Sequence, residues 1–166
     1  MKNGARMVYA VDVGYGQFAW SLRKDRRVVL MERTNIRNLT PEMLGIKPQL
    51  AVIDVSFISL SLVLPVVKKL LADDGEAICL IKPQFEAERA VVGEKGVVND
   101  SETHVSVLEA FMRHSAQSGF HVRDITHSPI KGPQGNIEFL GWLGYWEGND
   151  TIDIHAVVSG AHKAMN

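Results

Sequence analysis

One cysteine in 166 residues excludes an internal disulfide and any multi-cysteine metal site. That residue, Cys79, sits in the apolar run Ala77-Ile78-Cys79-Leu80-Ile81, so it is expected to be a buried thiol in a reducing cytoplasm. Long apolar stretches are also missing. The longest, Leu60 to Val67, is interrupted by Ser61 and Pro65 and followed by Lys68-Lys69, far short of the roughly 18 residues a membrane span requires. Met1-Lys2-Asn3-Gly4 does not have the character of a signal peptide. Aromatic residues are sparse at 7% and net charge is nearly absent at −1. With 46% hydrophobic and 22% charged residues, the chain lacks the signature of a disordered protein and can bury one core, which suits a single soluble domain.

The small net charge conceals an asymmetry. Residues 1–37 carry Lys2, Arg6, Arg23, Lys24, Arg26, Arg27, Arg33 and Arg37 against only Asp12, Asp25 and Glu32. A cationic edge of this kind suits a polyanion, although an ordinary solvated surface has the same composition.

Short β-rich runs alternate with helical patterns. Val8 to Val13, Val28 to Glu32, Leu50 to Val55 and Ala77 to Ile81 are continuous apolar stretches ending near polar residues, as buried parallel strands require. Leu60, Val63, Leu64, Val67, Leu70 and Leu71 recur at helical spacing and stop at Asp73-Asp74-Gly75, which makes a βαβ unit. Asn99-Asp100-Ser101 offers an N-cap for a second helix with Val105, Leu108 and Met112 on its apolar stripe. Phe120 to Ile125 and Asn136 to Tyr145 read as two late strands joined by a turn-rich loop and paired as an antiparallel edge hairpin. The expected fold class is α/β, one layered domain with a mostly parallel sheet.

Three strand ends carry the chemistry. Asp12-Val13-Gly14-Tyr15-Gly16 follows a strand and precedes a helix, where an acid accepts hydrogen bonds from a nucleoside ribose; a tight structural turn is the alternative. Counting strands makes Asp12 the end of a second strand and Glu32 that of a third, since residues 33–48 offer no place for another. Asp54 and Lys82 end the next two strands and should meet at the carboxyl edge of the sheet, with Pro83 holding Lys82 extended. A plain structural ion pair would look the same. Glu138, among apolar neighbours on a late strand, is costly to bury unpaired, and Lys82 is its expected partner, unless it faces water on an edge strand. His104, His114 and His121 are assigned to surface or edge positions, lack ligand spacing, and no metal site is expected.

Six strings together resemble the TlyA family of FtsJ-like proteins, long labelled hemolysins: Val8 to Gly14, Glu32 to Arg37, Asp54 to Ser59, Ile81 to Glu86, Gly93 to Val98 and Gly132 to Leu140. The resemblance covers about residues 4–145 and implies a Rossmann-like, S-adenosylmethionine-dependent methyltransferase acting on a ribosomal-RNA ribose 2′-hydroxyl. It implies catalytic roles for Asp54, Lys82 and Glu138, and cofactor binding by Asp12, Val13, Gly14, Asn35, Ile36 and Asp54. Asp12 would meet the cofactor's ribose, and Asn35 with Ile36 its adenine. The implied partner is ribosomal RNA or a ribosomal subunit, with no membrane and no metal. The family's glycine-rich first-strand motif, its first catalytic lysine and a small N-terminal RNA-binding domain are not in this sequence. Residues 1–150 are therefore expected to be a methyltransferase domain missing its first strand, with residues 151–166 a tail or short helix. A non-catalytic RNA-binding module is the alternative, and a cytolysin a weaker one.

Overall fold

The computed structural model describes residues 3–93, 95–146 and 152–165. Lys2 of the cationic edge, Glu94 of the Gly93 to Val98 string and the expected boundary at 150/151 lie outside them.

The first βαβ unit is β1 (Val8–Val11), a one-turn helix α1 (Trp20–Arg23) and β2 (Val28–Met31), with the strands parallel and Val8 opposite Val28. The second is β3 (Leu50–Ile53), α2 (Leu60–Leu70) and β4 (Glu76–Ile81), again parallel. Ser59 caps α2 by accepting a hydrogen bond from the Ser61 amide at 3.1 Å. The predicted stripe of α2 is realised: Leu60, Val63, Leu64, Val67 and Leu70 are all buried, each contributing about 1.5–3 kcal/mol of apolar transfer.

After a short α3 (Pro83–Glu86), helix α4 (Ser101–Gln117) begins at Asp100, whose carboxylate accepts from the Thr103 amide at 2.8 Å. Strand β5 (His121–His127) then pairs antiparallel with β6 (Phe139–Gly144), and β6 also lies antiparallel to β4. The C-terminal segment is a helix, α5 (Ile154–Met165), which buries Val158 and Ala161 in the main core. Strand ends fall one to three residues from the expected positions, as apolar runs continue past the last ladder bond.

Two expectations are corrected. His104 is wholly buried, not on a surface, with Nε2 at 3.1 Å from the Val98 carbonyl and Nδ1 at 3.0 Å from His162 Nε2. Its ring is polar yet fully partnered, which is what makes burial tolerable. Val52 and Leu50, read as buried on both faces, are 76% and 55% exposed.

The reason is that the strands form two sheets, β1-β2 and β3-β4-β6-β5. Among the described residues the edge of β1 away from β2 and the edge of β3 away from β4 have no strand partner. Between them lies a slot of about 190 Å³, walled by Tyr9 and Val11 of β1 and by Ala51, Val52 and Ile53 of β3. Its floor includes Leu39, Leu44 and Leu70, a small cluster separate from the main core.

Candidate active site

Each half of the fold delivers its loops to one side. Beyond β1, the Gly14 amide donates to Asp12 Oδ1 at 2.6 Å, folding the carboxylate onto its own turn. The loop is closed by Glu32, which accepts from the Gly16 amide at 2.7 Å while pairing with Arg23. The Arg23 guanidinium, together with burial-opposed backbone donors, holds the Glu32 carboxyl below its ordinary range. Gly16 has φ +76°, a conformation that favours glycine and explains the second glycine of the turn. Beyond β2, Asn35 Oδ1 accepts from the Arg37 amide at 3.0 Å and caps a single 3₁₀ turn that carries Ile36.

From the second sheet, Lys82 Nζ lies 2.6 Å from Asp54 Oδ1 and donates to Ser56 Oγ at 3.1 Å. The lysine backbone is extended (φ −110°, ψ 101°) ahead of Pro83, which places the side chain at the strand end. Its side chain is only 12% exposed, whereas that of Asp54 is 65% exposed, so the carboxylate faces solvent and the ammonium lies behind it.

Glu138 immediately precedes β6 and is 5% exposed. Its expected pairing with Lys82 is not what the structure has: Glu138 Oε1 accepts from Gln84 Nε2 at 3.1 Å, and Lys82 is taken by Asp54 and Ser56. Gly132 packs directly on the carboxylate; a Cβ there would stand 2.3 Å from Glu138 Oε1. Behind the site, Glu86 accepts from the Leu60 amide at 2.8 Å and from Ser59 Oγ at 2.7 Å, with burial raising its carboxyl above the ordinary range.

These elements enclose a cleft of about 1060 Å³. Asp12, Val13, Asn35, Ile36 and Asp54 line it; Gly14 sits behind Asp12, and Lys82 reaches it through Asp54. Ser56, Phe57, Phe85 and Arg89, none of which the sequence singled out, line the same cleft, as does Arg37 of the cationic edge. Phe57 is 90% exposed, adopts φ +62°, and has its ring centroid 4.9 Å from that of Phe85. An exposed phenylalanine held in the left-handed region is strained. Its place in the Asp54 to Ser59 loop beyond a strand end was the available signal, since ligands bind at such loops. Among the described residues no group of three or more His, Cys, Asp or Glu side chains is arranged to hold a metal ion.

An α/β frame with acids and a lysine at successive strand ends around one large cleft is the arrangement in which open α/β sheets bind ligands. The chain belongs to the FtsJ-like methyltransferase family, whose model matches residues 1–145. It is 47% identical over 173 residues to the "Putative rRNA methyltransferase YqxC" of Bacillus subtilis, covering 99% of this chain and 61% of that protein. It is 46% identical over 143 residues to the "16S/23S rRNA (cytidine-2'-O)-methyltransferase TlyA" of Mycobacterium tuberculosis, covering 86% of this chain and 53% of that one. A crystal structure of "a putative hemolysin from Lactococcus lactis" superposes with TM-score 0.92 at 43% identity, over 97% of this chain and 79% of that chain. Methyltransferase structures only 13–16% identical share the fold at TM-scores of 0.55–0.56. The chain thus spans between half and two thirds of the length of the curated relatives it matches.

Proposed function

We propose that the protein is an S-adenosylmethionine-dependent methyltransferase that modifies a ribose 2′-hydroxyl of ribosomal RNA in the cytoplasm. The observation that carries this reading is the Lys82–Asp54 pair, 2.6 Å apart, at the rim of the 1060 Å³ cleft. The cleft's donor set suits the cofactor. Asp12 would offer its carboxylate to ribose hydroxyls, Asn35 and Ile36 would meet the adenine, Val13 lines the same cleft, Gly14 keeps the Asp12 turn tight, and the Asp54 carboxylate would favour a cationic sulfonium. S-adenosylmethionine supplies, when bound, an electrophilic methyl group.

A ribose hydroxyl is a weak nucleophile at neutral pH, so the protein must orient it and stabilise the negative charge that develops on its oxygen. Lys82, paired with Asp54, contacts that hydroxyl. Asp54 fixes the Lys82 side chain from the solvent side, and Glu138, buried against Gln84, is the third member of the set. The exposed Phe57 ring offers a stacking face to an unpaired nucleobase, and Arg37 and Arg89, exposed and in no ion pair among the described residues, suit its phosphates. TlyA of Mycobacterium tuberculosis, named as an rRNA 2′-O-methyltransferase, supports the substrate class.

The slot between β1 and β3 supports a further part of this reading: residues 1–150 form a methyltransferase domain that one more strand, supplied from outside them, completes. Calorimetric titration with S-adenosylmethionine, on this chain and on a longer one extended N-terminally, tests the cofactor site. Binding by neither would transfer the reading to an RNA-binding module. In whichever form transfers methyl groups, Lys82→Ala abolishes transfer and leaves cofactor affinity unchanged; activity kept within about threefold would overturn the assignment.

A further inference from the structure

Asn136 stands two residues before Glu138, is 1% exposed, and joins two loops through its side-chain amide. Its Oδ1 accepts from the Val98 amide at 3.0 Å, while its Nδ2 donates to the Gly96 carbonyl at 3.0 Å and to the Pro133 carbonyl at 3.2 Å. The partners fix the orientation of the group, because a backbone N–H needs the oxygen and two carbonyls need the nitrogen. Without it the amide of Val98, a residue only 2% exposed, loses its acceptor, and an unpaired buried donor is costly.

On one side of this joint, Val98 is held at both backbone groups, its amide by Asn136 and its carbonyl by His104 Nε2 at 3.1 Å. On the other, residues 132–136 form a tight turn, in which the Gly132 amide donates to the Asn136 carbonyl at 2.8 Å and the Gly135 amide to the Gly132 carbonyl at 3.1 Å. Gln134 within it has φ +57°, a left-handed conformation that a residue other than glycine keeps only where its surroundings dictate it. Gly132 opens the turn and packs on the Glu138 carboxylate, and the Glu138 carbonyl accepts from the Ser128 amide at 2.8 Å. The wall against which Glu138 rests is therefore part of the turn that Asn136 closes.

We propose that Asn136 is a positioning residue for Glu138: by tying the turn at 132–136 to the loop that ends at Val98, it fixes the wall that aims the Glu138 carboxylate. This rests on the functional reading above for its purpose, though not for its geometry. Gln84 Nε2 anchors the carboxylate at Oε1, but a single hydrogen bond leaves rotation about it free, and the Gly132 backbone limits that rotation. Asn136 does not line the large cleft, so its effect on methyl transfer passes through what it positions.

Amide exchange followed by NMR on the full chain, wild type against Asn136→Ala and Asn136→Asp, reads the joint directly. Asn136→Ala should speed exchange at Val98, Gly132, Gly135 and Ser128 on the order of tenfold, the weight of one net hydrogen bond, with β4 unchanged. Asn136→Asp keeps the shape and the acceptor but sets an oxygen against two carbonyls, so Val98 should stay slow while Gly132, Gly135 and Ser128 quicken. Ser128 at its wild-type rate in both variants, or Val98 quickened equally in both, overturns the proposal. Transfer supplies the second arm. In whichever form transfers methyl groups, Asn136→Ala should lower kcat about tenfold with the KM values for cofactor and RNA kept, and should cost nothing further in a Glu138→Gln background. A merely structural role would lower transfer by the same factor in both backgrounds, which overturns the proposal. If no form transfers methyl groups, the functional reading falls, while exchange at Ser128 still decides whether Asn136 positions Glu138.

Discussion

At Gly132 the sequence choice is dictated by what lies opposite. No side chain larger than hydrogen fits, because Glu138 Oε1 would be 2.3 Å from a Cβ. Gly132→Ala is therefore expected to push the Glu138 carboxylate away from Gln84, destabilising the fold by about 1–3 kcal/mol in denaturant unfolding. Methyl transfer should fall further than that loss of folded protein explains. Cys79 meets its expectation as a core thiol: burial pushes its pKa up to about 12, which leaves it inert as a nucleophile. Asp54 and Lys82 were legible because a charged residue closing an apolar run has one destination, the strand end. Gln84 and Ser56 were not, since a neutral polar residue in a loop has no period or cost that marks it. The partner of Glu138 was misjudged for a related reason. Sequence shows that a buried carboxylate needs a donor, but an amide two residues beyond the lysine serves as well as the ammonium.

Among the elements, α4 and α5 are joined by a polar contact within an apolar interface. His104 of α4 meets His162 of α5 at 3.0 Å and the Val98 carbonyl at 3.1 Å. Burial first, and then the charge of His162, lower the His104 pKa, while Asp100 and the Val98 carbonyl oppose them. A histidine whose folded value lies below its unfolded value of about 6.5 binds its proton more readily when unfolded. Its contribution is then complete above that pH and declines as pH falls from about 6.5 toward the folded value. Urea unfolding followed between pH 8 and 5 should show this decline, and His104→Gln should flatten it. The α4 stripe was legible through Val105 and Leu108, but its period also ran through His104, whose burial depends on a partner fifty-eight positions away. Long-range pairing of this kind leaves no local trace. The α5 pattern was weak in the same way, because only Val158 and Ala161 carry its packing.

For the whole molecule, the strand count proved more informative than the strand boundaries. Placing Asp12 at the end of a second strand left a first strand unaccounted for, and among the described residues the edges of β1 and β3 that face the slot have no strand partner. Parallel and antiparallel pairings followed from connection length: helical crossovers join β1 to β2 and β3 to β4, and the late pair forms the edge hairpin. The exposure of Val52 did not follow, because an apolar run reveals that a residue is coverable and not what covers it. Unpaired edges on both walls of the slot also invite association with other chains, so sedimentation at rising concentration should reveal self-association that a Val52→Lys change suppresses.

The division has a second consequence, which concerns time rather than shape. Neither β1 nor β2 contains a fully buried residue, and a two-stranded sheet is marginal by itself. Its amides should exchange with deuterium through local opening, well before those of β4 and β6, which need global unfolding. The large cleft, however, takes its lining from both pieces, Asp12 and Asn35 from one and Asp54 from the other. A ligand seated there would act as a clasp, and its arrival should be visible as slowed exchange along Val8–Val11 and Val28–Met31, residues that lie mostly outside its reach.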